Sequence, residues 1–344
     1  MFLPENRRTI MKLQVYPIFI LTLLVLLCIA AFLSSLAWSN KILDFADVWK
    51  FVSSPKTTIS PEQHHIALVI NHRFVRTLAV LLCGSALGLS GALMQGLTRN
   101  PLADSGLLGI NTGAAAMIVS AAFFPFLQTN IFWLALLGSL LVAILISILG
   151  LSKEDGSSDF IILVGMAISV CLYAYVQAVS QLNPQVFDQY RFWVSGSFGG
   201  IKVSQIISVL PFFTVGVVLA LCCSRYVNMI AFDKQTAMSL GTNILLIQSV
   251  VLLAAALLSA ASVALAGPIV FIGLGSVHIS RKLIGSDYRF LIPAAMLNGA
   301  TLLCFADVLA RTVVRPSEIA TGIMTALLGA PLLYVLVIFK RAQS

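Results

Sequence analysis

Few residues in this chain could do chemistry, and they are sparsely placed. Asp307 and Arg311 stand four residues apart inside the apolar run LNGATLLCFADVLAR, a spacing that lets a carboxylate and a guanidinium pair on one helix face. His64, His65 and His72 gather with Glu62 in EQHHIALVINH. Such a group could touch ferric iron or zinc, but solvated loop histidines are the plainer reading. Ser197 is flanked by glycines in VSGSFGG, and His278 lies in a later apolar run. A nucleophilic serine needs an oriented base beside it; nothing near either residue supplies one, so glycine-rich turn material accounts for the segment. The six cysteines, Cys28, Cys83, Cys171, Cys222, Cys223 and Cys304, fall inside apolar runs without CxxC spacing and read as small core-filling hydrophobes. Neither HExxH nor the phosphate-cradling GxxxxGK[ST] occurs, so any use of ATP must involve another chain.

The elements that position these residues are long and apolar. Of 344 residues, 59% are hydrophobic and 10% charged, and the mean hydropathy is +0.99. Soluble domains carry about 25% charged residues, so this chain cannot cover a water-facing surface of ordinary polarity. Apolar runs near the ~20 residues a bilayer-spanning helix needs fall at 15–37, 74–94, 106–126, 131–150, 160–181, 203–223, 244–264, 266–279, 290–307 and 319–339. The predicted fold class is an all-α polytopic membrane protein of about ten transmembrane helices, forming a single transmembrane domain over 1–344. The stretch 244–279 reads as one long tilted helix or two short ones, and Gly267-Pro268 is the natural break.

The first apolar run follows Arg7, Arg8 and Lys12 but is longer than the core of a signal peptide. It reads as a retained helix behind a cytosolic tail, residues 1–14. Ten spans return the C-terminus to the cytosol, with twelve Lys and Arg inside against nine outside, a small bias in the sense of the positive-inside rule. The outside arginines therefore want a reason of their own. A net charge of +8 raises the question of nucleic acid, but the basic residues are scattered over loops without a stripe. Contact with anionic lipid headgroups accounts for the excess. Ion-coupled carriers place ionisable groups near the bilayer midplane, and none is found there. The polar residues within spans, Gln95, Gln177, Gln181, Gln248 and Asn298, read as helix–helix contacts.

One short stretch is out of keeping with its surroundings. GLTRNPLADSGLLGI, residues 96–110, puts arginine, asparagine, proline and aspartate between two apolar runs. Around it Gly84, Gly88, Gly91, Ala92, Ala103, Gly106, Gly109 and Gly113 recur at spacings that let helix backbones approach closely. Pro101 ends a helix or starts a turn, Asp104 or Ser105 could cap the next helix, and Arg99 belongs at the cytosolic headgroup level. The physics alone yields a tight, rigid cytosolic hairpin.

These residues carry a resemblance. The run from Arg73 to Gly113, with its R-x-x-R-x-L-A start, G-A-x-x-Q and R-N-P-L-A turn, resembles the signature region of the FecCD-type permeases, the vitamin B12 and ferric-siderophore ABC importers. VALAGPIVFIGLGSVHISRKLIG, LNGATLLCFADVLAR and EIATGIMTALLGAPLL match independently. WVSGSFGG resembles the family's external loop and NMIAFDKQTAMSLG its cytosolic coupling segment. The resemblance covers roughly residues 60–340, in matching order.

It implies a type II ABC importer permease with no cofactor in this chain, ATP and magnesium being bound by two partner ATPase subunits. It also implies a second permease subunit, an extracytoplasmic substrate-binding protein and a place in the cytoplasmic (inner) membrane. By resemblance, Asn100 and Leu102 belong to a cytosolic gate whose other side is EDGSSDF, around Ser157 and Ser158. Arg73 and Arg311 match arginines that dock acidic residues of the binding protein. The segment 228–243 matches the surface that inserts into the ATPase; within it Asp233 can cap a short helix, Ala237, Met238 and Leu240 offer an apolar contact, and Gly241 stops it. Val277, the Arg73-Phe-Val-Arg76 run and Ala320-Thr321 stand where the family commonly carries proline, which fits pairing with a paralogue over self-pairing. Among cargoes, ferric siderophore is preferred to haem and cobalamin on family abundance. An ATP-independent secondary carrier and a membrane scaffold or receptor are the alternatives.

Overall fold

Lipid offers no hydrogen bonds to backbone, so an apolar chain crosses it as helix. A computed structural model describes residues 6–39, 61–104, 106, 109–124, 130–150, 158–232 and 243–341, and its regular elements there are all helices. In chain order these are α1 (Asn6–Ala37), α2 (Pro61–Thr98), α3 (Ile110–Phe123), α4 (Ile131–Gly150), α5 (Ser158–Leu182), α6 (Pro184–Val194), α7 (Val203–Phe232), α8 (Ile244–Ala266), α9 (Ile272–Ile284), α10 (Tyr288–Thr312) and α11 (Thr321–Arg341).

Among the described residues seven helices, α1, α2, α4, α5, α7, α8 and α10, are long and apolar enough to cross a membrane. Helix α3, and α11 over Thr321–Pro331, are shorter apolar pieces. The stretch 244–279 divides as its sequence suggests: α8 stops at Ala266, and Gly267 (φ 77°) adopts a conformation that favours glycine. The second piece is shorter than the ~20 residues a spanning helix needs. Residues 267–271 are non-helical, and α9 has 13 residues with Arg281 and Lys282 in its last turn, about 20 Å of helix at 1.5 Å per residue. Helix α6 falls in a segment read from the sequence as polar connection. Its start is marked by Pro184 in the first turn and by Asn183, whose side chain accepts from the Gln185 N–H.

The centre of the bundle is α2, buried along most of its apolar length, with α10, α8, α9 and α7 against it. Its glycines explain how the backbones come so close. A Cβ at Gly84 would collide with the Gly299 backbone of α10, one at Gly88 with Ala295, and one at Gly91 with Gly273 of α9. Each glycine removes the atom that would hold two helices apart, so dispersion contacts form where no hydrophobic drive exists. Polar atoms inside this packing pair with one another. Asn298 Nδ2 donates to Ser280 Oγ at 2.7 Å, and the Ser90 and Ser259 hydroxyls meet at 2.9 Å. The cysteines divide: Cys83, Cys223 and Cys304 are buried, but Cys171 and Cys222 are exposed. Helices that face lipid have apolar surfaces on both sides, so an apolar run does not reveal which of its residues is core.

Candidate functional site

Two groups of polar residues stand at opposite ends of α2. The first gathers near the start of the buried part of α2, at the end of α10 and at the start of α11. Asp307 is fully buried. Its Oδ1 takes Arg76 Nη2 at 2.9 Å and Arg76 Nε at 3.2 Å, and accepts the Thr321 hydroxyl at 2.9 Å. Its Oδ2 lies 3.0 Å from Arg311 Nε, an ion pair in which that N–H also reaches the Asp307 backbone carbonyl at 3.3 Å. Arg76 then reaches Glu318 at 2.6 Å, so α2, α10 and the segment ahead of α11 are tied through one guanidinium. A buried carboxylate persists only if its charge is matched; here two guanidiniums match it, Oδ1 is fully engaged, and Oδ2 is held by the ion pair with Arg311 without a hydrogen bond of its own.

The i,i+4 pairing of Asp307 with Arg311 was legible in the sequence. Arg76, Glu318, Ser35 and Thr321 were missed, although the R-x-x-R spacing could have drawn attention to Arg76. Arg73 and Arg311, assigned to docking by resemblance, are brought together, and both are buried. Arg311 donates to Ser35 Oγ at 2.6 Å and to the Ser35 carbonyl at 3.4 Å; Arg73 donates to the Leu36 and Ala37 carbonyls at 2.9 and 3.4 Å. These are carbonyls of the last turn of α1, which lack intrahelical partners, and α1 has no basic residue of its own there. Two cations at a helix C-terminus are well placed for its dipole. Arg315, just beyond Arg311, is exposed.

At the other end of α2 lies the RNPLAD turn. Arg99 has φ 53°, a left-handed conformation uncommon outside glycine. Its Nε donates to the Ile230 carbonyl at 2.9 Å, so the exposed side chain is also tied to α7. Asn100 makes the turn: its Oδ1 accepts the Leu102 N–H at 2.9 Å and its carbonyl accepts the Ala103 N–H at 3.1 Å. Leu102 is exposed. Asp104 does not cap α3. The N-cap is Gly109 at φ 72°, with no side-chain hydrogen bond; Ser105 itself lies outside the described residues. The Asp104 carboxylate instead lies against the first turn of α9, where a Cβ on Gly273 would come within 2.5 Å of its Oδ1. The turn thus sets a cation at one helix C-terminus and an anion at another's N-terminus, the sense both dipoles favour.

Around the turn, Arg281 Nη2 donates to Gln95 Oε1 at 3.2 Å, joining α9 to α2. Asn228, near the end of α7, donates to Asp287 Oδ1 at 2.6 Å and accepts the Tyr288 N–H at 2.8 Å. Asn243 caps α8 by accepting the Leu246 N–H. The segment expected to couple to an ATPase is therefore anchored at each flank. Its residues Asp233, Ala237, Met238, Leu240 and Gly241 lie outside the described residues, as does Ser157. Ser158 is the first residue of α5.

The hydrolase reading of Ser197 recedes. The Ser197 hydroxyl accepts the Gly199 N–H at 3.1 Å and its own N–H donates to the Ala266 carbonyl at 2.8 Å, the bonds of a turn residue. The hollow of about 520 Å³ that it lines has no histidine, cysteine or carboxylate among its described lining residues. Among the described residues no three His, Cys, Asp or Glu side chains group as a metal site. The side chains of Glu62, His64 and His65 lie outside them.

Helix α5 is poorly covered within the chain. Leu163, Met166, Val170, Tyr173 and Leu182 are exposed along it, and Gln177 Nε2 donates to Tyr173 OH at 2.6 Å on the same side. Polar groups on an exposed face of a spanning helix mark a pathway or a partner sooner than lipid.

Residues 25–339 match the model of the FecCD transport family. The chain is 39% identical over 274 residues to the ferric enterobactin transport system permease protein FepD of Escherichia coli (strain K12), covering 78% of this chain and 81% of that protein. It is 35% identical over 337 residues to the hemin transport system permease protein HmuU of Yersinia pestis, covering 96% and 98%. Among solved structures, an inward-facing conformation of a metal-chelate type ABC transporter superposes with a TM-score of 0.80 at 28% identity, covering 94% of this chain and 99% of that one.

Proposed function

The chain belongs to the FecCD transport family, and on that footing we propose that it carries an iron–siderophore complex across the cytoplasmic membrane. Its relatives are permease subunits of ABC importers, so the chain is a multi-pass transport component that works with ATPase and binding-protein partners. The cargo assignment rests on one observation, the 39% identity to a ferric enterobactin permease. Haem is the second reading, favoured by the longer match to the hemin permease.

Two permeases, this chain and a paralogue, enclose the pathway along their interface, with the exposed face of α5 lining it. Two ATPase subunits bind beneath and hold the ATP and magnesium; no cofactor is assigned to this chain. A binding protein delivers the cargo at the cluster around Arg73 and Arg311, where three guanidiniums, those of Arg73, Arg76 and Arg311, stand against the carboxylates of Asp307 and Glu318. Such charge steers encounter and fixes orientation more than it adds affinity. Because both arginines also hold the end of α1, docking there would bear on the packing of α1 as well. Asn100 and Leu102 form one side of the cytosolic gate, Ser157 and Ser158 the other. Asp233, Ala237, Met238, Leu240 and Gly241 engage the ATPase.

Uptake of labelled iron by a deletion strain under iron starvation tests the reading, with a panel of siderophores, haem and cobalamin. Loss of one cargo's uptake, restored by the gene and abolished by disabling the partner ATPase, is the expected result. Uptake that survives without the ATPase and collapses with the ion gradient would replace the importer by a secondary carrier.

A further inference from the structure

We propose that Tyr173, Gln177 and Gln181 form a hydrogen-bonding ladder that binds the peripheral oxygens of the cargo, with Tyr173 as its principal donor. The ladder rests on α5 lining the pathway, as proposed above, and occupies the half of α5 nearer α6. The cargo chemistry it fits is an oxygen-rich chelate that accepts hydrogen bonds.

Positions 173, 177 and 181 succeed one another at i,i+4 spacing on α5, so they share a face and cover about 12 Å at 1.5 Å per residue. The sequence reads both glutamines as helix–helix contacts, yet Gln181 is exposed, Gln177 is half-buried and Tyr173 is exposed beside it. The opposite side of this stretch is closed. Val176, Val179 and Ser180 are buried, the two valines in a cluster with Ala115, Ala116 and Val119 of α3.

Two phenols on this stretch are used differently. Tyr175 meets the Ser120 hydroxyl of α3 at 2.8 Å, a packing contact. Tyr173 instead accepts Gln177 Nε2 at 2.6 Å. That bond takes up a lone pair of the phenol oxygen and leaves its O–H to donate to a ligand.

The exposed face changes character along its length. Leu163, Met166 and Val170, in the half nearer Ser158, are apolar and exposed. Against lipid alone, amides and a phenol would forgo hydrogen bonds at a cost, so lipid does not account for the ladder. A cargo that carries carbonyl, hydroxamate or phenolate oxygens does account for it. Such a cargo exchanges water for these donors on entry and then meets an apolar wall that does not retain it. Passage requires contacts favourable enough to admit a ligand and weak enough to release it.

The test pairs transport with accessibility. In the deletion strain complemented by each variant, uptake is measured at limiting concentration with a panel of radiolabelled ferric siderophores, ferric enterobactin included. Tyr173→Phe keeps the ring and removes the donor. It is expected to lower the uptake rate about two- to tenfold, the range of one hydrogen bond, with the thermal midpoint of the purified permease unchanged. Tyr175→Phe removes the other phenol and is expected to leave uptake within about twofold. Separately, the six native cysteines are replaced, and Tyr173→Cys in right-side-out vesicles is treated with a charged, membrane-impermeant methanethiosulfonate. Modification, read as a mass shift of the purified chain, is expected, because position 173 then faces water. Modification together with full uptake in Tyr173→Phe overturns the ladder and leaves α5 as a lining helix. No modification, as for a thiol covered by lipid or by the partner permease, removes the lining and the ladder together. Uptake of none of the ferric siderophores removes the cargo reading and the ladder with it.

Discussion

Arg76 and Asp307, separated by 231 positions in the chain, meet at 2.9 Å in the interior of the bundle. The contact joins α2 to α10, and through Glu318 it extends to the segment ahead of α11. Removing Asp307 from such a group leaves the guanidiniums of Arg76 and Arg311 buried and undercompensated.

Asp307→Ala is accordingly expected to destabilise the protein by about 3–5 kcal/mol, the range for an orphaned buried charge. Asp307→Asn, which keeps the shape and one acceptor, should cost less. Thermal unfolding of the detergent-purified permease, followed by loss of a monodisperse peak, checks the order of the two variants. Equal stability of Asp307→Ala and the parent would show that water reaches the cluster.

Gly84→Ala places a Cβ on the Gly299 backbone, and backbone cannot move aside as a flexible side chain can. Overpacking of this kind costs about 1–3 kcal/mol. Gly200→Ala is the control for position along the chain: that glycine has φ 77° but nothing within 4 Å of an added Cβ, so it suffers backbone strain without collision. Comparing folded yields of the two variants at several temperatures separates steric from conformational cost, and Gly84→Ala is expected to fall first.

Asn100→Ala removes the acceptor that closes the turn on the Leu102 N–H, and Leu102→Ala removes the exposed apolar side chain at its tip. Both variants are expected to assemble with the ATPase but to move less cargo per ATP hydrolysed. Uptake and hydrolysis measured on the same reconstituted sample decide this. An unchanged ratio in both would locate the gate elsewhere.

Arg73→Ala and Arg311→Ala each strip donors from the last turn of α1. Docking predicts slower association with the binding protein and a weaker dependence of that rate on salt. Loss of the α1 anchor predicts, in addition, easier proteolysis near residue 38. Normal association kinetics together with enhanced cleavage would make these arginines purely structural.

How much of this was legible in the sequence varies from residue to residue. Asp307 and Arg311 sit on one helix, so their pairing follows from periodicity alone, and Gly84, Gly88 and Gly91 announce a close helix contact by spacing. The partner of that contact does not follow, because Gly299 lies more than 200 residues away and its spacing to Gly84 carries no local signal. Arg99 was read as a headgroup residue and Asp104 as a cap because local rules consider only neighbouring turns. Asp104 lies instead against the first turn of α9, and Arg99, exposed, also donates to the Ile230 carbonyl; both contacts are with helices that come far later in the chain.

Composition and hydropathy by themselves determined that this chain crosses a membrane as packed helices, since an apolar chain with so few charges has no other stable solvent. Motif spacing determined the family, and glycine and proline determined where helices touch and where 244–279 must break. Only the tertiary structure decided which arginine meets which carboxylate, which helix ends the charges cap, and which apolar faces are core or exposed. Those depend on distances between elements remote in sequence, and a bilayer, being as apolar as the helix faces it covers, leaves no pattern in the chain to distinguish the two.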